Sequence, residues 1–165
     1  KISGTTPYGE ILGVTFCDAS TQAAKSCINT DLMKALWSQK NRQKPGHKAY
    51  FTDDQLDIAL GKAAQCTIEH EGSHEGDVRC GASDGFSQPT GYSSGSLNDS
   101  EADAYSKQSD CLKEAFASCN GEFICESVIK KAAATFNRGV LGQRDKNNKR
   151  AWDIPLLNES CPTKK

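Results

Sequence analysis

The chain has 165 residues, a length at which one compact domain buries most of the surface its unfolded form exposes. Only 36% of the residues are hydrophobic and the mean hydropathy is −0.61, so the apolar core is thin and needs help in offsetting conformational entropy. A formal net charge of −1 and a pI near 6.3 give no broad pull toward nucleic acid or anionic lipid, and no apolar run approaches the roughly 20 residues that cross a bilayer.

In chain order, a Pro7 and Gly9 turn signal precedes a β-prone run from Glu10 to Cys17 that carries Ile11, Val14 and Phe16, which predicts a first strand. Thr30 and Asp31 then introduce Leu32, Met33, Leu36 and Trp37 at the spacing of a short amphipathic helix. His47 to Phe51 reads as another strand. Thr52-Asp53-Asp54-Gln55 is a capping box, and Leu56, Ala59, Leu60 and Ala63 follow it along one helical face. The stretch between Cys66 and Cys80 sits near several glycines and reads as a disulfide-bounded loop. Cys80 to Ser96, with Gly81, Gly85, Gly91 and Gly95, reads as a long mobile loop.

Two helices should follow as a hairpin. The first runs from about Asp99 to Cys119, with Tyr105, Leu112, Phe116 and Cys119 on one face, and stops at Asn120-Gly121. The second runs from about Glu122 to Asn137, with Ile124, Val128, Ala132 and Phe136 on one stripe and Gly139 just past its end. After the polar segment Gln143 to Arg150, Ala151 to Leu157 reads as a last strand limited by Pro155. Strands near both ends with helices between them predict an α+β fold over 1–165, a small antiparallel sheet covered by helices in a single domain.

Cys17, Cys27, Cys66, Cys80, Cys111, Cys119, Cys125 and Cys161 are even in number and contain no Cys-x-x-Cys pair. Zinc-ribbon and dithiol redox readings are thereby disfavoured, and four disulfides formed in an oxidising, extracellular compartment are expected. Asn98-Asp99-Ser100 and Asn158-Glu159-Ser160 are glycosylation sequons in keeping with secretion, and Lys1 reads as the start of a trimmed product.

The sharpest motif is His70-Glu71-Gly72-Ser73-His74, a His-Glu-x-x-His sequence. On a helix its two imidazoles would share one face and bind zinc, with Glu71 as general base toward the attacking water. Asp99-Ser100-Glu101-Ala102-Asp103 resembles the acidic helix, often Glu-x-x-Ala-Asp, that supplies the third ligand in several Glu-type zinc peptidase families. That resemblance puts Asp99 in the ligand place, with Glu101 and Asp103 as the other choices. Gly72, Ser73 and Glu75 depart from the usual motif surroundings. The plainer expectation sets His70 and His74 on the surface among Glu69, Glu71 and Glu75 as a pH-sensitive patch without metal. A ribonuclease reading, recruiting His47 and Lys48 with one of these histidines, lacks any fixed spacing.

Taken whole, the eight cysteines, the Gly/Ser loop and the short length resemble the small cysteine-rich effectors and extracellular proteins that fungi secrete into host tissue. The α+β layout is similar to that of the Leptosphaeria avirulence and suppressing family, although Trp37-Ser38 and Trp152-Asp153 stand where that family carries Trp-Arg-aromatic. The resemblance implies a non-enzymatic secreted protein that binds a host protein and modulates immune recognition, with no cofactor, no nucleic acid and no membrane partner. The alternative expectation is a secreted zinc metallopeptidase that uses His70, His74, Asp99 and Glu71.

Overall fold

The computed structural model describes residues 5–6, 9–10, 13–18, 20–31, 52–81, 90–143, 149, 151 and 154–157. In chain order these form β1 (Thr5–Thr6), β2 (Gly9–Glu10), β3 (Gly13–Asp18), β4 (Ala23–Ile28), α1 (Asp53–Asp77), β5 (Val78–Arg79), β6 (Gly91–Tyr92), α2 (Leu97–Ala117) and α3 (Phe123–Gly142). Each strand pairs antiparallel with its neighbour in the order β1–β2, β3–β4 and β5–β6. The α+β expectation therefore holds, with the helices building the core and the β3–β4 hairpin laid against α1.

Helix α1 starts at the expected capping box. Gln55 donates its backbone N–H to Thr52 Oγ1 at 3.2 Å, and the Gln55 side-chain oxygen accepts from the Thr52 N–H at 3.0 Å. Leu56, Ala59, Leu60, Ala63 and Ala64 are buried along its first half. The same face then turns polar, burying Cys66, Thr67, Glu71 and His74. The expected loop between Cys66 and Cys80 is thus corrected: α1 runs on to Asp77. Gly72 and Gly76 each cost about 1 kcal/mol relative to alanine in a helix, but tertiary contacts of the intervening buried side chains outweigh that penalty.

Strand β4 was not signalled by hydrophobic alternation, because Ala23–Ile28 contains Lys25 and Ser26 and few β-branched residues. Its register, with Thr15 opposite Ser26 and Cys17 opposite Ala24, comes from pairing with β3. The turn between them is tied by Ser20, whose N–H and hydroxyl donate to Asp18 Oδ1 at 2.8 and 2.6 Å. Lys25 pairs with the other Asp18 oxygen.

The α2–α3 hairpin turns through Asn120 and Gly121, both at positive φ, as expected of a left-handed helix stop. Helix α3 extends past the expected end, so Gly139 lies inside it. A Cβ at that position would meet the Tyr105 hydroxyl at 2.5 Å, so the glycine makes room for α2. The expected strand over Ala151 to Leu157 is also corrected, since 154–157 has no regular structure. Ile154 and Leu157 insert into the core, and the Asn137 amide substitutes for a strand neighbour by donating to Leu157 O and accepting from Leu157 N–H, both at 2.8 Å.

Among the described residues three disulfides join Cys17 to Cys80, Cys66 to Cys111 and Cys119 to Cys125. Cys27 is exposed and has no disulfide partner among the described residues, and the remaining cysteine, Cys161, lies outside them, so the fourth expected bridge is untested. The expected strand at His47–Phe51, most of the expected helix after Asp31, and 82–89 of the glycine-rich loop also lie outside them. No described helix is long and apolar enough to cross a membrane.

Candidate metal centre

Helices α1 and α2 pack antiparallel, so partners along α1 in one direction meet α2 in the other. Cys66 bridges Cys111, His70 meets Glu101 and Tyr105, and His74 meets Ser100 and Glu101. The three α1 residues are four apart and share one helical face. The bridge sits one turn before His70 and locks the register that brings the acidic segment to the histidines.

His70, His74 and Glu101 form a cluster whose nearest ligand atoms all lie within 4.8 Å of one another. A single carboxylate oxygen, Glu101 Oε2, is 3.6 Å from His70 Nε2 and 3.7 Å from His74 Nε2. Those separations exceed the roughly 2.7–3.2 Å of a good N–H···O hydrogen bond. They come close to the roughly 3.3–3.6 Å that separates two ligand atoms held about 2.0–2.2 Å from one tetrahedral zinc. The donor set fits zinc in type as well, with two imidazoles and one carboxylate leaving a fourth position for water or substrate.

The histidine side chains are 12% and 8% exposed and that of Glu101 is 25% exposed, so the expected surface patch of His70 and His74 is corrected to a largely buried pair. Glu101, one of the two alternative third ligands, is the residue that converges. Asp99 instead closes the first turn of α2, where its N–H donates to Ser96 Oγ at 3.2 Å and its carboxylate accepts from that hydroxyl at 2.6 Å. Asp103 is exposed. Two positions along a helix amount to about 200° of rotation, which is why Asp99 and Glu101 cannot serve the same face.

Burial pushes the Glu101 carboxyl upward, but the imidazoles of His70 and His74 hold it down at about 2. For His74 burial opposes the charged ring, yet the facing Glu101 carboxylate, with Glu71 and Asp77 behind it, leaves its value raised. Burial raises Glu71, partly offset by His70 and by a hydrogen bond from Thr15. Glu71 is only 7% exposed. Thr15 Oγ1 donates to its Oε2 at 2.8 Å, and Ser26 Oγ donates to its backbone carbonyl at 3.1 Å. Gly13 completes this wall, since a Cβ there would lie 2.6 Å from Glu71 Oε1. Strand β3 thus presents Gly13 and Thr15 to Glu71, while Cys17 two positions on anchors the strand to Cys80.

Tyr105 packs edge-on against His70 with ring centroids 4.7 Å apart and is backed by Phe136 of α3 at 5.8 Å. Burial, reinforced by the Glu101 and Glu71 charges, pushes its phenol up to about 12, so it stays neutral. His70 Nδ1 is buried with no hydrogen-bond partner among the described residues. An orphaned ring nitrogen of this kind is uncommon in a purely structural histidine.

No family model, no curated protein and no solved structure matches this chain. The roles of Tyr105, Thr15 and Gly13 had no sequence motif to announce them. Tyr105 alone carried a usable signal, because it falls four residues after Glu101 on the face that points at α1.

Proposed function

We propose that the protein is a zinc-dependent hydrolase of peptide bonds that works in an oxidising, extracellular compartment. The observation that carries this reading is the nearly equal reach of one Glu101 oxygen to His70 Nε2 and His74 Nε2, with the Glu71 carboxyl buried on the same helical turn. His70, His74 and Glu101 would hold the metal. Zinc bound there would supply a Lewis acid for the scissile carbonyl and lower the cost of deprotonating water at neutral pH.

Glu71 supplies the proton chemistry. It takes a proton from the attacking water as the new C–O bond forms, then delivers it to the leaving amine as the C–N bond breaks. A carboxyl raised by burial suits both halves of that cycle, because it is a stronger base toward the water and can still return the proton to the amine. Thr15 holds the carboxyl in place through the transfer. The bridges support placement outside the cytosol, where thiols are not kept reduced. The geometry favours the metallopeptidase expectation over a non-enzymatic host-protein binder, since a docking surface needs no buried convergence of two imidazoles and a carboxylate.

Metal analysis of the purified protein, followed by cleavage of fluorescently labelled casein, tests the proposal. One zinc per chain is expected, lost in His70→Ala. Glu71→Gln should keep the zinc and lose at least about 100-fold in cleavage, the lower end of general-base effects. Protein that takes up no zinc when dialysed against it, or a Glu71→Gln variant of undiminished activity, would overturn the reading.

A further inference from the structure

The sequon Asn98-Asp99-Ser100 lies at the start of α2, and the fold gives its two working side chains opposite surroundings. Asn98 is exposed in the first turn of the helix. Ser100 is 1% exposed, and its hydroxyl lies 2.9 Å from His74 Nδ1 across the seam between α2 and α1. Two positions along a helix are about 200° apart, so the amide is turned to solvent and the hydroxyl to the interior. Asp99 between them is drawn back to the helix start, its carboxylate accepting from the Ser96 hydroxyl at 2.6 Å.

A transferase reads Asn-x-Ser as a unit, with the amide as acceptor and the hydroxyl two residues on as part of the recognised group. The folded helix cannot offer both on one side. The segment can offer both only before α2 has formed and docked. Synthesis runs from the N-terminus, so Asn98 and Ser100 are delivered before Cys111, and the Cys66–Cys111 bridge that fastens α2 to α1 closes later still. The modified chain remains able to fold, because a glycan is bulky and hydrophilic and Asn98 faces outward.

We propose that Asn98 is an N-glycosylation site, modified on the unfolded chain and closed to modification once α2 docks on α1. The donor is an oligosaccharide carried on a lipid pyrophosphate. Asn98 Nδ2 forms a bond to C1 of the first sugar as the bond from C1 to the pyrophosphate oxygen breaks. The lipid pyrophosphate leaves with that electron pair, and the amide gives one proton to a base of the transferase. The inference shares with the proposed function only its placement outside the cytosol and does not depend on zinc.

The test uses the full chain carrying Asn158→Gln, which removes the second sequon, secreted from a eukaryotic cell line. Intact mass should show one glycan, released by peptide N-glycosidase with a carboxylate left at position 98, and absent when Asn98→Gln is added. Peptide mapping of the glycosylated protein should still find the Cys66–Cys111 bridge. In a second arm, protein made without glycan in bacteria is given to purified transferase and lipid-linked donor, either folded or reduced and unfolded. Only the unfolded chain should gain the glycan mass. Secreted protein bare at Asn98, or glycosylated protein without the Cys66–Cys111 bridge, would overturn the site. A folded chain that accepts the glycan as readily as the unfolded one would overturn the order of events. Glycosylated protein that takes up no zinc would instead sink the proposed function and leave this inference standing.

Discussion

Replacing both members of the Cys66–Cys111 bridge by alanine tests whether this covalent link sets the site. The bridge closes a span of 45 residues. For that length the chain-entropy relation gives about 4 kcal/mol of stabilisation through the unfolded state. A domain of this size loses about 0.35 kcal/mol of stability per degree near its melting point, so the melting temperature should fall by about 10 °C. Cys119–Cys125 serves as the internal control, because it spans only 6 residues and the same relation gives about 2 kcal/mol. The two double variants should also differ in zinc affinity. Loss of Cys66–Cys111 frees the α1–α2 register one turn from His70 and should weaken zinc, whereas Cys119–Cys125 lies in the α2–α3 turn and should leave affinity unchanged. Urea denaturation under oxidising conditions gives the energies and chelator competition gives the affinities. A loss below about 1 kcal/mol for Cys66–Cys111, with zinc affinity untouched, would refute the reasoning, since packing alone would then hold the helices in register.

The metal-free protein should carry a pH signature of the Glu101–His74 pair. Glu101 is depressed from 4.5 to about 2, so its contribution is present above 4.5 and is lost as pH falls toward 2. His74 is raised from 6.5, so its contribution is full below 6.5 and is lost as pH rises through the elevated folded value. The stability difference between wild type and Glu101→Gln in chelator should therefore peak between 4.5 and 6.5 and shrink on both sides, as read by thermal melts. At the steric seam behind His70, Gly139→Ala should cost about 1–3 kcal/mol by driving a methyl into the Tyr105 hydroxyl. Combining it with Tyr105→Phe should recover much of that loss, because the closest atom is then gone, and additive effects in a double-mutant cycle would contradict the contact.

Local signals that depend on neighbouring residues were legible in the chain itself. The Thr52–Gln55 capping box, the Asn120-Gly121 stop, the apolar stripes of α2 and α3, and the His-Glu-x-x-His spacing each need only a few adjacent side chains. Where such signals faded, tertiary contacts took over. Helix α1 persists through Gly72, Ser73 and Gly76 because its buried face there bonds to Ser100, Thr15 and Ser26, a face too polar for hydrophobic periodicity to reveal. Gly139 read as a helix stop because its reason for being glycine, the Tyr105 hydroxyl, belongs to another helix.

The choice among Asp99, Glu101 and Asp103 shows the same division most clearly. All three lie within one acidic segment and are chemically able to ligate a metal. Only the rotation and register of α2 against α1, locked by Cys66–Cys111, brings Glu101 to both histidines and leaves Asp99 at the helix start. Residue type and spacing were local information, whereas convergence is a property of two helices that meet across a span the chain order does not encode.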